Sequence, residues 1–209
     1  MSRFTPISRD ALAVRLADLF DSRHPGTHPL RVGLDAPRFA GLAELVPVIT
    51  ARLAAVGRPA ASVAATAFYR NASLRLEHGR TDIESFYHDW LDAAALEREV
   101  LVPLGAPNGR FLPTLRDPVT NRATRDRPQS LPANGVVVVS GELLLGAGLS
   151  FDLVVTAVMS AQARRRRSEP DWAWTLPAFD RYDADVDPAA LADVVVRWDD
   201  PHRPAILVR

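Results

Sequence analysis

Lysine and cysteine are both missing from this chain of 209 residues; its 25 basic side chains are all arginine. The lack of cysteine removes disulfides, thiolate nucleophiles and cysteine-ligated metals together. The lack of lysine removes the point charge with which most phosphate-binding loops reach the terminal phosphates. An excess of one charge sign is lacking as well. The 25 basic residues face 25 acidic ones, and a net charge of zero argues against nucleic acid or an anionic membrane as a partner. No basic-then-apolar leader opens the chain, so a soluble, cytoplasmic protein is expected. Alanine, arginine, proline and valine are abundant where lysine is absent, a bias expected of GC-rich coding and a weak guide to function. What is present is 47% apolar content, enough for one sizeable core and a single domain over residues 1–209.

One long apolar run tests the soluble reading. Residues 135–159 read GVVVVSGELLLGAGLSFDLVVTAVM. Glu142 and Asp152 would each cost about 2.5–3.5 kcal/mol at a bilayer centre, and Gly141, Gly146 and Gly148 divide the run. Two parallel strands buried on both faces are the expectation. Before them, Ser8 caps a helix over 9–23 with Leu12, Leu16, Leu19 and Phe20 on one face. A strand at 31–35, a helix near 42–56 ending at Gly57 with Pro47 as an early kink, and a strand over 60–68 follow. A polar, arginine-rich loop leads to a helical pattern at 82–102, and an irregular segment with six prolines occupies 103–132. After the buried strands come a helix from about 159 to 168, an aromatic loop, a short helix after Pro188 and a strand at 192–198. Such alternation implies right-handed βαβ units on a mostly parallel sheet.

Residues 31–45, RVGLDAPRFAGLAEL, place a strand, a tight loop and a helix start where a phosphate loop of the form G-x-x-x-x-G-K-[ST] would lie. Ala36 stands at the first glycine and Gly41 is kept. Leu42 and Ala43 stand where lysine and the Mg²⁺-binding hydroxyl belong. Free N–H groups at the helix start, with Arg38 inside the loop, favour an anion. Against this, Phe39 is bulky, Pro37 has no N–H, and Ala36 is strained if it takes the positive φ of a glycine. The loop is expected to pack as an ordinary strand-to-helix turn.

The matches extend beyond the loop. Asp35 through Ala43 resemble the D-G-x-x-x-x-G-K-T loop of the uridine kinase-like P-loop proteins common in actinobacteria. Arg80, Asp82, Phe86, Tyr87 and Asp89 resemble that family's R-x-D-x-x-x-x-Y-x-D motif. VVVVSGELLL resembles its later strand, and VDPAALADVVVRWDDP its closing segment. The resemblance runs nearly end to end. It implies a P-loop NTPase-like fold of the nucleoside and nucleotide kinase type: a three-layer α/β sandwich with a mostly parallel sheet and an N-terminal helix. It also implies a nucleoside pocket near Arg80, Asp82, Tyr87 and Asp89, and a lid-like segment over 164–186.

Three departures from the family pattern set the functional expectation. The Walker A residues are degenerate. Thr66, Ala67 and Phe68 occupy the place of the family's catalytic acid. Ser140 replaces the Walker B acid, with Glu142 two residues on, on the same strand face if the strand continues and in a turn if it does not. Phosphoryl transfer is mostly positioning and electrostatic stabilisation, so losing lysine, hydroxyl and base together leaves little. No cofactor is expected, and the losses argue against ATP and Mg²⁺ binding. The reading is a pseudokinase acting as a binding or regulatory module, with a nucleoside-like small molecule or a protein as partner. Two alternatives stand beside it: a repurposed, metal-free enzyme using Arg80, Tyr87, His88 or Asp89, and a residual kinase with Arg38 in the lysine's role.

The remaining candidates each have a bland counterpart. Arg164 and Arg167, three apart in a run of four, share a face and match arginines that close over phosphates in the family; a solvated helix C-terminus explains them equally. Tyr87, His88 and Asp89 form either a substrate edge or a surface helix with ion pairs. Trp172 and Trp174 stack on a base or anchor their loop to the core. His24 and His28 are separated by Pro25 and Gly26, so no metal site is expected there.

Overall fold

A computed structural model describes residues 3–209. A two-residue strand, β1 (Thr5–Pro6), leads into α1 (Arg9–Ser22), where the Ser8 hydroxyl accepts the Ala11 N–H at 3.2 Å as the N-cap. Leu12, Leu16 and Phe20 are fully buried along one face of α1. β2 (Leu30–Asp35) ends in the loop of interest, and single 3₁₀ turns at Arg38–Ala40 and Leu42–Leu45 precede α2 (Val46–Ala55). Pro47 falls in the first turn of α2, where its missing N–H is harmless, so it starts that helix rather than kinking it.

The expected strand over 60–68 is shorter. β3 (Ala60–Ala64) stops where a 3₁₀ turn, Ala65–Phe68, swings Ala65 against Gly141. The expected helix over 82–102 is likewise broken, into α4 (Ile83–His88), α5 (Ala93–Leu96) and a π turn, Glu97–Leu101. The break is made by backbone bonds from Arg70 N to Trp90 O and from Asp92 N to Phe68 O, which draw residues 90–92 alongside 68–70. α3 (Ala72–Arg75) fills part of the arginine-rich loop, and the proline-rich segment folds on a small antiparallel pair, β4 (Arg110–Phe111) with β5 (Gln129–Ser130).

β6 (Val136–Gly141) and β7 (Leu153–Val158) are the two strands expected in the apolar run. They do not pair with each other. β2 lies between them, parallel to both, with Val32 opposite Val138 on one side and Leu153 on the other. α6 (Ala161–Arg167), a 3₁₀ turn (Pro170–Thr175), α7 (Leu176–Asp185), α8 (Pro188–Leu191), β8 (Val194–Arg197) and β9 (Ala205–Val208) complete the chain. The sheet order is β1-β9-β8-β7-β2-β6-β3, with β9 antiparallel to β8 and β1 antiparallel to β9.

Alternation along β6 sorts the core into two layers. Val136 and Val138 pack with α1 and α2, whereas Val137 and Val139 pack with α5, Leu101 and Leu104. Helices therefore cover both faces, which is why the strand reads as unbroken valine. Among the described residues, no helix is long and apolar enough to cross a membrane.

Candidate functional site

The winding reverses between β2, which leads to β3 on one side, and β7, which leads to β8 on the other. Open α/β sheets place their ligands at the strand carboxyl ends near such a point. A cavity of about 230 Å³ lies there, walled by Leu34, Ala36, Ala43 and Ala64 and edged by Thr66, Ser140, Glu142 and Arg38. Thr66 and Ser140 thus face this cavity.

The loop after β2 keeps one glycine for a conformational reason: Gly41 has φ 72°, which a side chain rarely adopts. Ala36 carries no such strain, because its φ is not positive; its N–H is fixed by Gly141 O at 2.8 Å. The Ala40 carbonyl accepts from Trp198 Nε1 at 2.5 Å and from Arg167 Nη2 at 2.9 Å.

Glu142 lies one residue past the end of β6, in the turn, and its carboxylate enters the loop. It accepts the Arg38 backbone N–H at 3.1 Å, the Arg38 Nε at 3.0 Å and the Tyr69 hydroxyl at 3.1 Å, and it forms a close ion pair with Arg38 Nη2. The other face of the Arg38 guanidinium lies 3.5 Å from the Trp172 ring centre. Burial pulls the Arg38 guanidinium down, but the charge and hydrogen bonds of Glu142 and Tyr69 together outweigh it and the group titrates above its ordinary value. Burial and the Glu142 charge together push the Tyr69 hydroxyl up. Arg38 is therefore neutralised within the protein.

Beneath this pair lies a second buried carboxylate. Asp35, 2% exposed, accepts Leu144 N at 3.0 Å, the Tyr182 hydroxyl at 3.1 Å and the Thr156 hydroxyl at 3.3 Å. Burial raises its pKa to about 6, with Glu142 adding to the effect and the three hydrogen bonds opposing it. Tyr182 in turn accepts Leu145 N at 2.7 Å. These contacts hold the turn in which Leu143 has φ 58°, a left-handed conformation costing a branched side chain roughly 1–3 kcal/mol. Position and strain in the turn are thus set by Asp35 and Tyr182.

The other sequence candidates are placed as follows. Arg164 and Arg167 share a face, as their spacing implies. Arg164 is buried against Asp180 at 2.8 Å and Asp183 at 2.6 Å, and Arg167 bonds the loop carbonyl already described. Trp172 covers Arg38, and Trp174 packs on Phe86. Arg80 is exposed, and Asp82 caps α4 through Ser85 N at 2.7 Å. Asp89 pairs with Arg70 at 3.1 Å, and His88 lies 3.7 Å from Glu84. Tyr87, stacked under Arg181, and His88 line a separate hollow of about 360 Å³ shared with Leu143, Gly146 and Tyr182. Phe68 lines a third hollow, behind Tyr69.

Tyr69, Arg75, Thr156, Tyr182 and Trp198 escaped the sequence reading. Only Tyr69 had a signal, its place directly after Thr66–Phe68. Among the described residues, no three His, Asp or Glu side chains converge as a metal-binding set. At the positions where Mg²⁺-ATP would be held, Leu42 and Ala43 supply neither ammonium nor hydroxyl, and the loop N–H of Arg38 is already taken by Glu142. These residues do not fit that group.

No family model matches the chain, and no curated protein matches it by sequence. Solved structures do. A possible uridine kinase from Bacillus stearothermophilus superposes with a TM-score of 0.68 at 18% identity, over 88% of this chain and 96% of that one. A candidate fructose transport system kinase from a Silicibacter species gives 0.58 at 19% identity, over 89% and 95%. D-Glycerate 3-kinase from Cryptococcus neoformans gives 0.51 at 15% identity, over 83% and 80%. At these identities the likeness speaks to architecture: the chain has the P-loop NTPase-like fold of the uridine kinase-like and related kinases.

Proposed function

We propose that this protein is a kinase-fold binding module that does not transfer phosphate from Mg²⁺-ATP. The observation that carries this reading is the Glu142 carboxylate inside the loop, where it takes an N–H that a phosphate would need and cancels the charge of Arg38. An approaching triphosphate meets a buried anion rather than a cradle of donors. Displacing Glu142 would strand a carboxylate that is only 8% exposed, and breaking a buried pair commonly costs about 3–5 kcal/mol. The same pairing weighs against a residual kinase in which Arg38 serves as the lysine. The apolar cavity beside Thr66 and Ser140 is left as the binding volume, sized for a small, largely uncharged molecule. A nucleoside-like ring system is the ligand class that the fold's relatives suggest.

Isothermal titration with ATP, with and without Mg²⁺, and turnover assays with uridine, fructose and D-glycerate test this. Neither heat of binding nor product is expected. Mg²⁺-dependent ATP binding accompanied by phosphorylation of any of the three would overturn it.

A further inference from the structure

Three arginines among the described residues are buried, and two of them are held by acceptors of the protein. Arg58 donates Nε to Asn134 O at 2.9 Å and Nη2 to Arg23 O at 2.6 Å, and its Nη1 reaches the Phe20 and Asp21 carbonyls. Arg164 holds two aspartates, and the more exposed Arg38 holds Glu142. Arg75 is different. It is 8% exposed, and its one side-chain hydrogen bond among the described residues runs from Nε to Arg70 O at 2.8 Å. No carboxylate among the described residues pairs with it. Its guanidinium lies over the rings of Trp90, at 4.8 Å, and Tyr69, at 5.5 Å. Aromatic faces attract a cation but offset only part of the loss of water around it.

The surroundings add positive charge instead of cancelling it. Burial lowers the Arg75 pKa; Tyr69 opposes this, and Arg116 and Arg38 push it further down. Arg116, also without a carboxylate partner among the described residues, spends Nη1 on Asn121 O at 2.9 Å. Next to Arg75, the hollow behind Tyr69 measures about 390 Å³ and is lined by Arg70, Arg116, Asn71 and the apolar side chains of Phe68, Leu74 and Leu115. Asp92 also lines it, with one carboxylate oxygen engaged on Ala95 N at 2.9 Å.

We propose that this hollow, lined by Arg116 and by Arg70, which also pairs with Asp89, and backed by Arg75 on the ring of its Tyr69 wall, binds the phosphate group of a small organic molecule whose body rests on Phe68, Leu74 and Leu115. A phosphate is tetrahedral, with several peripheral oxygens, and takes guanidinium donors arriving from more directions than a planar carboxylate does. The site is separate from the nucleotide loop, with Tyr69 as the wall between them, and it does not depend on whether that loop binds anything.

Titration calorimetry and thermal melting of the full chain with inorganic phosphate and with a hexose monophosphate, at low and high salt, test the proposal. Both probes are expected to bind and to raise the melting temperature, with affinity falling as salt rises. Tighter binding of the monophosphate identifies an organic phosphate as ligand; equal binding identifies free phosphate at the same site. R116Q, at a half-buried position, should weaken binding about tenfold or more. R70Q removes the other guanidinium of the lining and should weaken it similarly. Absence of binding by both probes to folded wild-type protein overturns the proposal, as does binding that R116Q and R70Q both leave unchanged. Loss of binding in R38Q but not in R116Q would place the anion in the loop instead, and likewise overturns it.

Discussion

Tyr69 separates two arginines with opposite fates. On its hydroxyl side, Arg38 is locked to Glu142 and roofed by Trp172. On its ring side, Arg75 is buried more deeply than Arg38 yet has no carboxylate. One region has closed on itself and the other has kept an uncompensated charge. Burial alone therefore does not distinguish a structural arginine from one poised for a ligand. The distinction lies in whether the protein supplies the counter-charge, since a buried cation without one persists only at a cost in stability.

The largest expected effect breaks the closed side. Replacing Glu142 with alanine strands Arg38 and its N–H, and should destabilise the fold by about 3–5 kcal/mol in urea unfolding. Added phosphate should restore part of the loss in that variant by entering the loop. Asp35 gives the next effect, through pH. Its folded pKa of about 6 lies above the ordinary carboxylate value of 3.8, so the folded state holds the proton more tightly than the unfolded chain. The stability tied to that proton is fully present below about pH 4 and is lost as pH rises through 6, a swing of roughly 3 kcal/mol. Unfolding of wild type and D35N at pH 4 and pH 7 should therefore show the wild type gaining on the variant as pH falls.

Smaller changes sharpen the contrast. Y69F removes a hydroxyl bonded to Glu142 and Arg38 while leaving the ring under Arg75, and should cost about 1 kcal/mol by denaturant titration. Arg75 replaced by methionine should change stability by less than about 1 kcal/mol, since a buried charge without a partner is exchanged for an apolar chain of similar reach. Destabilisation by Arg75→Met as large as that of Glu142→Ala would erase the distinction between the two sides.

Much of the architecture was legible where a local pattern carried it. The 3.6-residue spacing of Leu12, Leu16 and Phe20 marked α1, and valine runs marked the central strands because both their faces are buried. What the pattern missed was decided by distant partners. The break at residues 89–92 is made by the backbone of 68–70, and the end of β3 by Gly141. α7 was hidden behind an aromatic segment read as loop, and β9, whose antiparallel pairing closes the sheet beside β8, carried too short a run to register. In the site, the missing lysine and hydroxyl could be read directly. The partner that fills their place could not, because Arg38 and Glu142 are 104 residues apart and nothing local to either announces the other.

The stacking of Trp172 on Arg38 has a practical corollary. Trp90, Trp172 and Trp174 lie with neighbouring ring centres 5.8–6.3 Å apart, close enough for their electronic transitions to couple, while Trp198 sits apart on Ala40. The coupled trio touches Arg38 through Trp172 and Arg75 through Trp90. Its near-ultraviolet circular dichroism is a built-in optical readout of both arginines, and any event that moves either one will register in the unlabelled protein.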